Sequence, residues 1–181
     1  CPYNHGQQAC PHCRGPMIKE SVMAGFAVYT SQYGPVRVDW SDGAVTGLRI
    51  VTQADNTADG PGEPTELTDL AFHELERYFA GNLRQFTVPI AFTYGTPFQQ
   101  AVWRALLQIP YGETRTYAQI AEAAGRPKAV RAVGSANNRN PILFIVPCHR
   151  VIGANGNLVG YAYGVEMKRT LLQLEQRVAQ A

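Results

Sequence analysis

The spacing of apolar residues changes part-way along this chain of 181 residues, and the change limits its fold class. Before Tyr94-Gly95-Thr96-Pro97, three segments alternate apolar and polar side chains: residues 24–31, 35–40 and 44–52. Alternation with a period of two is typical of half-buried strands, and the glycine-containing dipeptides between the segments predict hairpin turns. After Pro97, apolar residues recur every three or four positions, which is typical of helices. The predicted fold class is therefore α+β.

The N-terminal half, residues 17–92, is predicted to be a small α+β scaffold domain with a three-stranded antiparallel meander. Thr65 or Thr68 can cap a helix that runs to about Ala80. The apolar face of this helix comprises Leu67, Leu70, Ala71, Leu75, Tyr78 and Phe79. Residues 86–92 are expected to be extended, and His73 is expected on the surface. No pattern in residues 17–90 indicates chemistry.

The C-terminal half, residues 93–181, is predicted to be a mainly helical domain. Thr96 caps a helix over residues 98–108, with Pro97 at its first position, where proline is favoured. Trp103 on this helix is expected in the core. A last amphipathic helix is predicted over residues 165–179, and by residue type alone Glu175 on it is expected to be solvated.

Two short helices between these have the pattern of a helix-turn-helix. Thr116 caps residues 117–124, Gly125 turns the chain, and Pro127 opens a second helix that runs to residue 136. The second helix is predicted to carry Lys128 and Arg131 on its surface. A DNA-binding helix-turn-helix and an ordinary pair of packed helices both fit this pattern.

Charge is divided unevenly between the two halves. Residues 1–90 contain six Lys or Arg and ten Asp or Glu, whereas residues 91–181 contain ten basic and four acidic residues. A basic C-terminal half favours contact with a polyanion, although chance can produce such a division. No apolar run is long enough for a membrane helix and no signal peptide is visible, so we expect a cytoplasmic protein.

The first 16 residues have no hydrophobic periodicity, and we expect a disordered leader. They contain Cys10-Pro11-His12-Cys13, with Cys1 nearby, which are residue types that bind zinc. A single C-x-x-C without a second spaced pair indicates zinc only weakly. A structural zinc is therefore possible but not favoured, and no cofactor is expected.

Cys148 is the candidate nucleophile. It lies in the apolar stretch 145–151, which is predicted to be a short buried strand ending in a hairpin turn at residues 153–157. A thiolate near neutral pH needs a base or a cation beside it, and His149 is adjacent. Neighbouring residues on a strand point to opposite faces, so a water or an irregular backbone would have to connect Cys148 with His149. A buried structural cysteine is the other interpretation.

Several motifs in the same order resemble those of the 6-O-alkylguanine-DNA alkyltransferases. Pro-Cys-His-Arg-Val at 147–151 looks like the active-site signature of that family. The other matching motifs are Thr-Pro-Phe-Gln-x-x-Val-Trp at 96–103, Tyr-Gly-Glu-Thr at 111–114, Arg-Ala-Val-Gly at 131–134, Asn-Pro at 140–141 and Lys-Arg-x-Leu-Leu-x-x-Glu at 168–175. The resemblance implies a ribonuclease-H-like N-terminal scaffold and a winged-helix-like helix-turn-helix in the C-terminal domain.

The resemblance also implies a reaction. Cys148 would take the alkyl group from 6-O-alkylguanine, and from 4-O-methylthymine, irreversibly and once per molecule. His149 would act as base through a water, Glu175 would orient it, and Asn140 would hold the backbone of the active-site turn. Residues implied to bind the substrate base are Tyr117, Val151, Tyr161 and Ala162, with a carbonyl of Cys148 accepting from the exocyclic amine. The loop carries Ala162-Tyr163 where other members have Ser-Gly or Arg-Trp.

The same resemblance implies that the protein binds double-stranded DNA as a monomer. Arg131 would fill the place of a base rotated out of the duplex, and the second helix would enter the minor groove. The residues implied to contact DNA are Thr116, Lys128, Ala129, Arg131 and Ala132. Competing hypotheses are a cysteine hydrolase, a DNA-binding regulator with an inert cysteine, and a protein that only marks damaged DNA.

Overall fold

The computed structural model describes residues 23–52 and 62–181. Its strands are β1 (Ala24–Ser31), β2 (Gly34–Ser41), β3 (Ala44–Ile50), β4 (Arg115–Thr116) and β5 (Val151–Ile152). Its α-helices are α1 (Glu66–Phe79), α2 (Pro97–Leu106), α3 (Tyr117–Ala123), α4 (Val130–Asn138) and α5 (Val165–Gln180). A short 3₁₀-helix covers Cys148–Arg150. This is the predicted mixture of an N-terminal sheet and C-terminal helices.

The N-terminal sheet is the predicted antiparallel meander, in the order β1-β2-β3. Its second hairpin turns at Asp42 and Gly43, whose φ angles are 48° and 80°. Positive φ at both central residues matches the twist of the flanking strands, which explains the Asp-Gly pair at this point. Val36 and Val38 on β2 are fully buried, so one face of the sheet forms part of the core.

Helix α1 packs against this sheet and begins as predicted at Thr65. The Thr65 hydroxyl accepts from the Thr68 amide, and the Thr68 hydroxyl accepts from the Thr65 amide, so both exposed donors are satisfied. Leu70 was predicted on the buried face, but it is 40% exposed because it lies at the edge of the apolar stripe. The helix stops at Gly81, where φ is 76°. His73 is exposed, as predicted.

The segment after α1 is held by a buried carboxylate. Glu74 on α1 accepts hydrogen bonds from the amides of Thr87 and Val88, at 2.9 and 3.1 Å from Oε2. Of the predicted extended segment 86–92, Ile90 forms an isolated parallel bridge with Val45 on β3. The segment thus lies beside the sheet without forming a strand of its own.

The two halves of the chain share one hydrophobic cluster. It runs from Val36 and Leu75 in the N-terminal half to Trp103, Val146 and Leu171 in the C-terminal half. Parallel bridges also join β3 to residues beyond it, at Ile90 and at Ile142. The boundary between residues 92 and 93 stays a prediction, because the packing is continuous across it.

Helices α3 and α4 form the predicted helix-turn-helix arrangement, with α2 packed beside both. Trp103 on α2 is fully buried, and its Nε1 donates to the carbonyl of Ala136 at 2.8 Å. The prediction placed the start of the second helix too early. The amide of Ala129 donates to the Arg126 carbonyl in a turn, so Lys128 and Ala129 precede Val130, the first residue of α4.

The backbone around Cys148 differs from the predicted strand and hairpin. Cys148 begins the 3₁₀-helix, and β5 pairs in parallel with β4. The predicted turn at residues 153–157 is present, with the Gly153 amide donating to the Asn157 carbonyl at 2.9 Å, but no strand after it pairs with β5 among the described residues.

Two features change the direction of the chain before Cys148. Phe144 has a φ of 68°, and Nδ2 of the Asn140 side chain donates to the Val146 carbonyl at 2.8 Å. Hydrogen bonds between Leu48 on β3 and the backbone of Pro141 and Leu143 hold this segment from a distance, and the local apolar pattern does not contain them. None of the helices in the described ranges is long and apolar enough to span a membrane.

Candidate active site

Cys148 lies at the start of the 3₁₀-helix, where it is 3% exposed. Burial raises the pKa of its thiol, and the nearby Asn140 side chain and the charge of Lys168 offset that rise only in part. The Tyr161 hydroxyl faces the same sulfur without a hydrogen bond of normal geometry. The thiol is therefore the stable form at rest, and its deprotonation needs a base inside the site.

Two asparagines hold the turn that presents Cys148. Asn140 donates from Nδ2 to the Val146 carbonyl at 2.8 Å and accepts from the Ile142 amide at 3.0 Å. Asn137 donates from Nδ2 to the Cys148 carbonyl at 3.2 Å. That carbonyl also accepts from the Val151 amide, so both of its lone pairs are used within the protein. Acceptance of a hydrogen bond from the exocyclic amine by the Cys148 carbonyl stays a prediction.

Glu175 on α5 is fully buried, in contrast to the solvated position that residue type alone suggests. Its Oε1 contacts the Tyr78 hydroxyl at 2.6 Å, His149 Nε2 at 2.8 Å and Arg150 Nη2 at 2.9 Å. Its Oε2 accepts from Arg150 Nε at 2.9 Å and from the Gly112 amide at 3.1 Å. Burial alone would raise the pKa of Glu175, but His149 and Arg150 lower it to about 2. The carboxylate is therefore ionised and fixed in one orientation.

The position of Glu175 assigns the hydrogen on the imidazole of His149. An ionised carboxylate only accepts hydrogen bonds, so Nε2 of His149 carries the hydrogen directed at Oε1. Nδ1 is then the basic nitrogen; it is buried and has no hydrogen-bond partner among the described residues. Burial, together with the charges of Arg150 and Lys168, lowers the pKa of His149 although Glu175 acts in the opposite direction. A neutral imidazole with a free lone pair beside a thiol is suited to act as a general base.

Lys168 was not singled out from the sequence, although it opens one of the motifs quoted above. It is fully buried on α5, and its Nζ donates to the Val159 carbonyl at 3.0 Å. Burial lowers its pKa to about 8, while the charge of Cys148 acts in the opposite direction. The ammonium group places positive charge near the sulfur, which favours a thiolate once one forms.

The residues predicted to bind the substrate base surround Cys148 from different elements. Tyr117 begins α3, and its hydroxyl donates to the Val159 carbonyl at 2.9 Å. Val151 and Tyr161 are buried beside the cysteine, whereas Ala162 is exposed on the loop that follows β5. The structure thus joins Tyr117 of α3 to the loop after β5 through the hydrogen bond to Val159.

The residues predicted to contact DNA lie on or just before helices α3 and α4. Arg131 and Ala132 are exposed on α4, and Lys128 is exposed just before it. Ala129 is the residue preceding the first turn of α4. The Thr116 hydroxyl caps α3 by accepting from the Gln119 amide at 3.2 Å, so it is already used within the helix pair. Neither Arg131 nor Lys128 forms an ion pair within residues 23–52 and 62–181.

Arg150 and Tyr78, like Lys168 and Asn137, were missed because their roles depend on contacts that the sequence pattern does not show. Arg150 directly follows Cys148 and His149 in the signature motif, and this position was the one feature of the sequence that could have indicated a role in the site. Tyr78 lies on the apolar face of α1 and resembles a core residue in the sequence. The only clue was that a buried tyrosine hydroxyl usually requires a hydrogen-bond partner.

No cluster of three or more His, Cys, Asp or Glu side chains suited to a metal occurs in the parts of the chain that the structure describes. The possible zinc ligands Cys1, Cys10, His12 and Cys13 lie outside the described residues.

Comparison with known proteins identifies relatives that align with most of this chain. The profile of the DNA-binding domain of 6-O-methylguanine DNA methyltransferase matches residues 97–177. A methylated-DNA–protein-cysteine methyltransferase of Methanosarcina acetivorans is 50% identical over 155 residues, which cover 83% of this chain and 97% of that protein. A protein of the same name from Mycobacterium leprae is 44% identical, and the match covers 91% of this chain and 92% of that protein.

Solved structures give the same result for the fold. The Mycobacterium tuberculosis OGT in complex with DNA is 46% identical, with a TM-score of 0.75, over 84% of this chain and 93% of that one. These relatives align with 83–91% of this chain and with 92–97% of their own length. The chain belongs to the methylated-DNA–protein-cysteine methyltransferase family.

Proposed function

We propose that this protein repairs DNA by moving the alkyl group of 6-O-alkylguanine, and of 4-O-methylthymine, onto Cys148. One observation carries the proposal most directly. The buried thiol of Cys148 lies next to a histidine that a buried, ionised glutamate orients. Nucleophile, base and orienting group are the parts that covalent transfer to a side chain requires. The product is a stable thioether, so each molecule reacts once.

The proton and electron pairs balance within the site. The thiol proton of Cys148 moves through a water to Nδ1 of His149, and the sulfur attacks the alkyl carbon. The bond from this carbon to the guanine oxygen breaks, and its electron pair stays on the guanine oxygen. The Tyr117 hydroxyl donates to the ring as the charge develops, and Lys168 contributes a nearby positive charge. For this, Tyr117 exchanges its present acceptor, the Val159 carbonyl, for the base.

DNA binding supplies the substrate. Helix α4 enters the minor groove, where the small side chains of Ala129 and Ala132 permit a close approach. The alkylated base rotates out of the duplex, and Arg131 occupies the space that it leaves. Lys128 and the start of α3 at Thr116 contact the phosphate backbone. Arg131 and Lys128 are exposed and form no ion pair within the described residues, which supports this assignment.

The transfer needs no cofactor in this scheme, because the base, the nucleophile and the proton donor are all side chains of the chain. We further propose that the protein acts as a monomer in the cytoplasm on nucleoid DNA, or in the nucleus if it is eukaryotic. A reducing compartment suits the mechanism, since Cys148 must remain a free thiol.

A mass spectrum tests the proposal directly. The reduced protein is incubated with a duplex that contains 6-O-methylguanine, and the peptide containing Cys148 is analysed. We expect the mass of one methyl group in place of the thiol hydrogen, saturating at one per molecule. An excess of product over protein would indicate a hydrolase, and a folded protein that binds the duplex without an adduct would indicate a regulator or a damage marker.

A further inference from the structure

Tyr78 is the only side chain of the described N-terminal half that hydrogen-bonds to the catalytic carboxylate. It lies at the last turn of α1 and is fully buried. Its hydroxyl oxygen is 2.6 Å from Glu175 Oε1 and 3.2 Å from His149 Nε2. The two contact partners are therefore the orienting group and the base of the proposed transfer.

The direction of the Tyr78 hydrogen bond follows from the charges. Burial and the neighbouring Glu175 raise the pKa of Tyr78 well above its ordinary value, so the phenol remains protonated. A protonated phenol beside an ionised carboxylate donates to it. His149 Nε2 is closer to Oε1 than to the Tyr78 oxygen, so the imidazole hydrogen also points at Oε1. Tyr78 and His149 thus share one acceptor.

We propose that Tyr78 is a positioning residue for the alkyl transfer. Its hydroxyl, supplied by the N-terminal half, fixes Oε1 of Glu175 so that His149 keeps its hydrogen on Nε2 and its lone pair on Nδ1. This inference rests on the proposed function, since it concerns the same base.

The hydroxyl has a second effect, on the charge that His149 experiences. The titratable and charged groups around the imidazole are Tyr78 from α1, Cys148 and Arg150 from the 3₁₀-helix, and Lys168 and Glu175 from α5. Only Glu175 stabilises the imidazolium among these groups. A donor on Oε1 draws negative charge away from the imidazole, so Tyr78 keeps His149 neutral and ready to accept a proton.

Tyr111 provides a matched control. Its ring lies 6.2 Å from the Tyr78 ring, and its hydroxyl is buried without a hydrogen-bond partner among the described residues. Tyr111→Phe therefore removes the same atom from the same neighbourhood without removing a bond to Glu175. A purely structural contribution of a buried hydroxyl would be similar in Tyr78→Phe and Tyr111→Phe.

The test combines single-turnover kinetics with nitrogen NMR of labelled histidine. For Tyr78→Phe we expect transfer to methylated duplex to slow about tenfold, the range known for residues that orient a catalytic group. We also expect the acid limb of the pH–rate profile to move to higher pH, because the freed carboxylate stabilises the imidazolium. Tyr111→Phe should have the same transfer rate and the same acid limb as the unmodified protein. An unchanged acid limb in Tyr78→Phe overturns the proposal, whatever the change in rate.

A 3-fluorotyrosine at position 78 separates the chemical effect from a packing effect. This residue keeps the hydroxyl and is the stronger acid, so its bond to Glu175 is stronger. The acid limb should then move to lower pH, opposite to the change in Tyr78→Phe. Shifts in the same direction for both variants would show that packing alone is responsible and would contradict the proposal.

The unmodified protein distinguishes this inference from the proposed function. Its NMR spectrum should show His149 with hydrogen on Nε2. Hydrogen on Nδ1 would mean that His149 is not the base, and both conclusions would fall. Hydrogen on Nε2 together with an unaltered Tyr78→Phe profile would remove the role of Tyr78 alone.

Discussion

The surroundings of Cys148 and the exposed face of α4 are built in opposite ways. Around Glu175 each oxygen of a buried carboxylate has more than one donor, so the groups are fixed before substrate arrives. On α4, Arg131 is exposed and forms no ion pair within the described ranges. A catalytic group must be pre-organised, whereas a DNA-binding group is satisfied only by its partner. Substitutions around Glu175 should therefore reduce transfer or stability, whereas substitutions on α4 should reduce DNA binding or the repair of duplex DNA.

The largest expected effect is at Cys148. Cys148→Ala should abolish transfer completely while leaving affinity for methylated duplex within about twofold, since phosphate contacts dominate affinity and the buried Cys148 side chain makes none of them. Adduct formation by mass spectrometry and a binding titration measure the two properties. Residual transfer in this variant would show that a different group is the nucleophile. A parallel loss of DNA affinity would show that the two regions are not separate.

Glu175→Gln should cost the most stability. It leaves the Arg150 guanidinium buried without its ionised partner, and breaking a buried ion pair costs about 3–5 kcal/mol. Urea unfolding gives the free energy of unfolding. The double variant Glu175→Gln with Arg150→Met should recover part of that loss, because it removes the unpaired charge. If the double variant is no more stable than Glu175→Gln, the charge of Arg150 does not determine the loss.

Acid should weaken the same network in a defined range. The pKa of Glu175 is about 2 in the folded protein and 4.5 in an ordinary environment, so the unfolded chain binds more protons in between. Its contribution to stability is complete above pH 4.5 and declines as the pH falls toward 2. Melting temperatures across this range should fall more steeply for the unmodified protein than for Glu175→Gln. Parallel slopes would contradict the assignment of Glu175 as ionised.

Arg131→Ala should have a smaller and more selective effect. We expect repair of a duplex to slow about tenfold, because rotating a base out of the stack costs a few kcal/mol that the inserted side chain offsets. Reaction with free 6-O-methylguanine should be unchanged, and single-turnover rates on both substrates measure this. Arg131→Lys is the control: a full recovery by lysine would indicate a simple phosphate contact.

The smallest effect is expected for Lys128→Ala. Loss of one phosphate contact should weaken binding several-fold for all duplex sequences and reduce the slope of log affinity against log salt by about one. Titrations at several salt concentrations measure this slope. An unchanged slope would place Lys128 away from the DNA.

The sequence predicted elements whose stability is local. The meander, the cap at Thr96 and the last helix follow from periodicity and turn chemistry, and all three are present. The 3₁₀-helix at Cys148 was mistaken for a strand because its cause lies in contacts from Asn140, outside the apolar run. Tyr78 was missed for the same reason. A helix pattern shows which face is buried, but it does not show which hydroxyl meets a carboxylate 97 positions later.

The burial of Cys148 also bears on how long the protein stays usable. Under the proposed reaction a molecule is useful only until its sulfur is spent. Peroxides and soluble alkylating agents consume thiolates that they can reach. At 3% exposure, and with burial raising its pKa, Cys148 presents little surface to small reagents and is a protonated thiol at rest. Under oxidative stress most molecules should therefore keep a reactive Cys148, and damaged DNA should be the main agent that consumes it.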